Sequence, residues 1–194
     1  MIDLTVCAVD PGLATGAAVL LGTLPQRVLD AVSLKTSKTQ ANRDRPGDMQ
    51  FTDAVLRARG QAAALRTFLI RHNPDMICVE SFVDLASRRR KGEGGKEDRL
   101  RWQTPLVIGM IDPMLRDLGY QDHQIRYQNP VALHHFRVER GILWDAIRTR
   151  RKRTKHLVLP GDELITNEHL LSAFTHGLWT LERMDAHMRQ PDRS

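Results

Sequence analysis

Cysteine is scarce in this sequence. The only two, Cys7 and Cys78, both lie inside apolar strand-like runs, where a reduced thiol behaves as a small buried hydrophobe. That argues against a disulfide framework and against a zinc site. Long hydrophobic runs are also missing: no stretch approaches the length of a membrane span, and the N-terminus opens directly on a strand-like run. A cytoplasmic protein with no membrane partner is therefore expected. Wholesale disorder is excluded by ordinary totals, 41% hydrophobic and 27% charged residues. The 194 residues fit a single domain, 1–194, able to bury a sizeable core. A net charge of +6 favours a polyanionic partner, and where that charge sits matters more than its sum.

One stretch organises the rest. The apolar run Val6 to Val9 ends in Asp10, a Pro11-Gly12 corner follows, Gly16 lets the turn close, and a second apolar run begins at Ala17. Asp-Pro-Gly is a common turn in its own right, since Asp accepts backbone hydrogen bonds, Pro presets φ and Gly tolerates φ > 0. The same hairpin also fixes a carboxylate at the end of a rigid strand, a position from which it can hold a metal ion.

In chain order, residues 2–9, 17–21 and 27–34 read as three strands of an antiparallel meander. Residues 35–48 are polar and read as a loop. Phe51, Val55, Ala58, Ala62, Leu65 and Leu69 then recur at helical spacing, and Asn73-Pro74 stops that helix. Met76 to Val79 is a short, fully apolar run ending in Glu80, as expected of a buried strand. Residues 106–118 read as a helix with a kink or break near Ile111 caused by Pro113, and Gly119 closes it. Residues 124–127 are a candidate fifth strand, and Asn129-Pro130 opens a helix over 131–138. His134 and His135 lie on it. Neighbours on a helix point about a hundred degrees apart, which makes them a poor metal pair. Thr166 or Asn167 is the expected N-cap of a final helix, with Glu168 in its first turn. Leu170, Phe174, Leu178 and Leu181 form its apolar stripe, and His169, Ser172 and His176 stack on another face.

Two segments carry the positive charge. Residues 84–101 combine glycines with Arg88, Arg89, Arg90, Lys91, Lys96, Arg99 and Arg101, and read as a basic loop. Residues 148–156 hold Arg148, Arg150, Arg151, Lys152, Arg153 and Lys155 with no acid among them. Such a run repels itself and is relieved by an anion, so both segments are candidate contacts to a nucleic-acid backbone.

Asp10-Pro11-Gly12-Leu13 with Gly16 after a buried strand resembles the first motif of RuvC-type Holliday-junction resolvases, in the RNase H-like nuclease superfamily. Pro74-Asp75-Met76-Ile77-Cys78-Val79-Glu80-Ser81-Phe82 resembles their second motif, in which a strand ends in a catalytic glutamate. The resemblance implies a mixed five-stranded α/β sheet with helices on both faces and carboxylates gathered at one sheet edge. It further implies a homodimer that cuts four-way or other branched DNA with two Mg²⁺ ions, Mn²⁺ substituting. Asp10, Glu80 and His169 are the implied metal ligands, with Glu168 a further candidate from its place beside them, and Lys152 or Lys155 a basic residue assisting catalysis.

The third motif departs from the family. His169-Leu170-Leu171-Ser172-Ala173 matches it at His169 but has a serine where the family carries aspartate, and a neutral hydroxyl is a weak ligand for a hard cation. Three explanations stand: Glu168, Asp162 or Glu163 supplies the charge; a water on Ser172 and His176 completes a weaker second site; or the protein binds junctions without cutting them. Retained cutting is the expectation, because Asp10 and Glu80 both persist. A metabolite kinase of the actin-like superfamily also begins with strand, Asp-Gly and turn, but needs further glycine-rich phosphate loops that this chain lacks.

Overall fold

The computed structural model describes residues 4–12, 15–22, 27–34, 47–81, 103–130, 133–139 and 168–189. Its strands are β1 (Thr5–Asp10), β2 (Thr15–Leu21), β3 (Arg27–Leu34), β4 (Met76–Glu80) and β5 (Ile125–Gln128), in the order β3-β2-β1-β4-β5. The first three form the expected antiparallel meander, whereas β4 runs parallel to β1 and β5 parallel to β4. Parallel neighbours need crossovers. Helix α1 (Gly47–His72) lies between β3 and β4, and α2 (Gln103–Asp117) between β4 and β5; α3 (Leu133–Glu139) and α4 (Glu168–Arg189) follow.

Both faces of the sheet are covered, which is why β1 and β4 are apolar without alternation. Cys7, Val9, Ile77 and Val79 pack on one face with Leu65 and Leu69 of α1 and Val107 and Ile111 of α2. Val6, Ala8, Met76 and Cys78 pack on the other with Leu133 and Phe136 of α3 and Leu170, Phe174 and Leu178 of α4. Cys7 and Cys78 are free, buried and turned to opposite faces. Burial pushes both thiols up, that of Cys78 to about 12, so neither is a reactive thiolate.

Helix limits are where local sequence and structure part. Residues 47 and 48 belong to α1 and not to the preceding loop. The predicted break at Ile111 does not occur: α2 runs through Pro113. A proline inside a helix costs about 3 kcal/mol. Pro113 faces solvent, and the opposite side of α2 buries Val107, Ile111, Met114 and Leu115, each contributing about 1.5–3 kcal/mol. Packing therefore wins. The helix ends as expected at Gly119, whose φ of 90° suits glycine; its N–H bonds the Arg116 carbonyl while the Tyr120 N–H bonds that of Leu115, a Schellman closure. Asn73, at φ 41°, ends α1.

Helix α4 lies unusually close to β2. A Cβ built on Gly16 would come within 2.3 Å of the His169 carbonyl oxygen, and one on Gly177 within 2.5 Å of Leu20 Cδ1. The two glycines thus set how near the polar stripe of α4 comes to the strand ends.

Candidate active site

Strand parity decides which side chains meet. Val6 and Ala8 face α4, so Asp10, two residues on, faces it too; the same alternation carries Met76 and Cys78 to Glu80. Val9 pairs with Val79, so the two carboxylates leave adjacent parallel strands at the same end. The sheet edge anticipated for them is this row of strand ends, in the middle of the sheet. Glu80 pairs in register with Gln128 of β5, which also faces α4.

Across from them α4 presents His169, Ser172, His176 and Thr180, at i, i+3, i+7 and i+11, one stripe of the helix. His169 Nδ1 stands 3.0 Å from Asp10 Oδ2. Ser172 Oγ donates to Glu80 Oε2 at 2.7 Å, and His176 Nε2 lies 2.8 Å from the same oxygen. His176 Nδ1 is 2.7 Å from Gln128 Oε1, and Gln128 Nε2 donates to Thr180 Oγ1 at 2.5 Å. Thr180 passes its own proton to the His176 carbonyl. Carbonyls only accept, so the polarity is fixed along the chain: Thr180 accepts from the amide nitrogen, the amide oxygen faces His176, and Nδ1 carries a proton.

Sequence reasoning missed three participants. Arg137 of α3 donates from Nη2 to Ser172 Oγ at 2.7 Å. Its signal was its spacing, since it continues the buried stripe of Leu133 and Phe136 at i+4. Gln128 and Thr180 are buried partners of His176; Thr180 extended the polar stripe of α4 by one step. A second buried amide, Gln61 of α1, donates from Nε2 to the carbonyls of Gly12 and Leu34 and ties down the turn after Asp10.

The two carboxylates sit in opposite fields. Burial raises Asp10 above the ordinary range; His169 relieves this only in part, and Glu80 raises it further. Burial also acts on Glu80, but the His176 contact, the Ser172 hydroxyl and the Arg137 charge outweigh it and hold that carboxyl below its usual range.

These donors fit a divalent cation at Asp10, where a desolvated carboxylate with a second beside it lacks positive charge. They do not fit a second ion at Glu80, whose Oε2 is already met by a hydroxyl and an imidazole, with the Arg137 guanidinium bonded behind that hydroxyl. Among the described residues, no three of His, Cys, Asp and Glu are gathered as a ready-made cation site. Glu168 opens α4 but its side chain lies outside the described residues, as do those of His134 and His135. So do Asp162, Glu163, Thr166, Asn167 and the basic segments 84–101 and 148–156, including Lys152 and Lys155.

No protein-family model matches the sequence, and a search of curated proteins finds no match. Solved structures do match. The RuvC of Thermus thermophilus in complex with Holliday junction substrate aligns at a TM-score of 0.59 and 18% identity, covering 96% of each chain. The chain has the RuvC resolvase fold. A second Thermus thermophilus RuvC structure gives 0.52 and 17% over 95% of this chain and 96% of that one. The fowlpox virus Holliday junction resolvase gives 0.50 and 15% over 93% and 99%. On this fold Asp10, Glu80 and the start of α4 meet at the row of strand ends just described. No helix among the described residues is long and apolar enough to cross a membrane.

Proposed function

We propose that this chain is a metal-dependent endonuclease that cuts branched DNA, four-way junctions above all. The observation that carries the reading is the pairing of Asp10 with Glu80 at adjacent strand ends, facing the polar stripe of α4, on a RuvC fold. Asp10, Glu80 and His169, with Glu168 as a further candidate, would hold Mg²⁺ or Mn²⁺. A divalent ion bound there supplies Lewis acidity for phosphodiester hydrolysis, activating water and stabilising the departing 3′ oxygen. The chain's own contribution is positional. Gln61 fixes the turn behind Asp10, His169 orients the Asp10 carboxylate, and the Thr180–Gln128–His176 chain with Ser172 locks Glu80. The basic residues of 84–101 and 148–155 hold the strands by charge, with Lys152 or Lys155 assisting catalysis. The unit acts as a homodimer, since two sites related by a two-fold axis allow paired nicks in a symmetric junction.

A second reading, a junction-binding protein that does not cut, draws on one observation: Ser172 is neutral and is bonded to Arg137 where an acidic ligand would be needed. A synthetic four-way junction separates the two. Under Mg²⁺ or Mn²⁺ the wild type should nick it while Asp10→Asn binds it and leaves it intact. Binding without nicking by both proteins would sink the enzyme reading.

A further inference from the structure

The serine in the third motif changes more than one ligand. A carboxylate at 172 facing Glu80 would set two acceptors against each other, an arrangement that calls for a cation between them. Ser172 reverses the polarity: its hydroxyl proton points at Glu80 Oε2, and its oxygen accepts from Arg137 Nη2, both at 2.7 Å. Glu80 thus meets a donor, with a guanidinium one atom behind it. Arg137 is half-buried. Its Nε is buried without a hydrogen-bond partner, a cost accepted only where neighbouring contacts fix the side chain. We infer that the Arg137 guanidinium takes the place of a second cation, so that the site binds one divalent ion, beside Asp10, and not two. The inference rests on the metal-dependent reading above and deepens it.

The charge pattern agrees. Glu80 Oε2 receives the Ser172 hydroxyl and faces His176 Nε2 at 2.8 Å, with Arg137 bonded behind that hydroxyl, while Asp10 Oδ2 faces His169 Nδ1 at 3.0 Å. An ion arriving at Glu80 would meet a fixed positive charge and a hydroxyl whose lone pair is already engaged. An ion arriving at Asp10 meets neither.

The test counts ions and does not depend on turnover. Mn²⁺ is titrated into the full-length protein and free Mn²⁺ is read by electron paramagnetic resonance. Wild type should bind one ion per chain. The double variant Ser172→Asp with Arg137→Met, checked for folding by circular dichroism, should bind two, the second at least tenfold more tightly than any second ion on wild type. Ser172→Asp with Arg137→Lys keeps the charge and should return to one. Two ions on wild type, or one on the folded Asp/Met variant, would overturn the inference and leave the nuclease reading standing. No ion on wild type would remove both, and is told apart by that count. Should the Asp/Met variant not fold, the wild-type count and the Asp/Lys variant still decide.

Discussion

Replacing Gly16 with alanine reaches the site through a single methyl group. Its Cβ would lie 2.3 Å from the carbonyl oxygen and 2.4 Å from the carbonyl carbon of His169, and 2.8 Å from the Leu170 nitrogen. These are backbone atoms in the first turn of α4, which cannot rotate out of the way. An ordinary contact needs about 3.5 Å, so that turn must retreat by about 1 Å. Overpacking of this kind costs about 1–3 kcal/mol, and the better strand propensity of alanine returns about 0.5–1. The expected net loss is about 1–2 kcal/mol, a fall in Tm of about 2–8 °C. A domain with about 5–15 kcal/mol in hand stays folded at assay temperature. The retreat nevertheless carries His169 away from Asp10, and a 1 Å misplacement costs about 100-fold in rate. Junction nicking should therefore fall far more than stability does. Gly177→Ala is the control: its Cβ meets the flexible end of Leu20 at 2.5 Å, and alanine gains about 1 kcal/mol in a helix interior. Nicking should stay within a few-fold of wild type. Thermal melts and nicking assays on both variants decide it, and a Gly16→Ala protein with unchanged Tm and undiminished nicking would refute the reasoning.

Asp10 and Glu80 should respond oppositely to pH in metal-free melts. The folded value of Asp10 is raised, so its contribution is complete below about 3.8 and is lost as pH rises; Asp10→Asn should melt above wild type at pH 7, the gap closing towards acid. The folded value of Glu80 is lowered, so its contribution is present above about 4.5 and is lost as pH falls; Glu80→Gln should melt below wild type at pH 7 and converge with it at acid pH. Nitrogen-15 spectra should show His176 Nδ1 protonated, with Thr180→Val weakening that preference and costing about 1–3 kcal/mol in urea unfolding; a bare Nδ1 in wild type would contradict the hydrogen-bond polarity. Replacing Arg150, Arg151, Lys152 and Arg153 by alanine should lower junction affinity and flatten its salt dependence by about 0.9 in log–log slope for each phosphate no longer neutralised, read by titration at several salt concentrations.

Asp10 and Glu80 were legible in the sequence because each ends a run too apolar to be anything but a buried strand. Parity then aimed both at the same helix. The α4 stripe was legible too, since His169, Ser172 and His176 keep helical spacing whatever lies opposite. What local pattern does not encode is which elements touch. Gln128 enters the site because β5 pairs in register with β4, and Arg137 because α3 packs beside α4; neither neighbour is near in sequence. The unbroken α2 has the same origin. Proline chemistry is local, whereas the burial of Val107, Ile111, Met114 and Leu115 that overrides it belongs to the assembled sheet.

The polar stripe of α4 runs along a row of strand ends, from Gln128 on β5 past Glu80 on β4 to Asp10 on β1, and charge compensation declines along it. At the β5 end every donor has its acceptor, so Gln128, His176 and Thr180 form a closed buried network that fixes geometry and leaves nothing for a ligand to satisfy. At β4, Glu80 receives a hydroxyl, an imidazole and the field of Arg137, and is stable as an anion without help. Asp10, at the far end, has one histidine in contact and the weaker field of His176 against burial and a neighbouring negative charge. A carboxylate kept in that condition weakens the fold, and under the proposed metal-dependent reading that deficit falls where the cation would be held. On the proposed reading, the serine at 172 therefore leaves the Asp10 position open to a cation while making the Glu80 side self-sufficient.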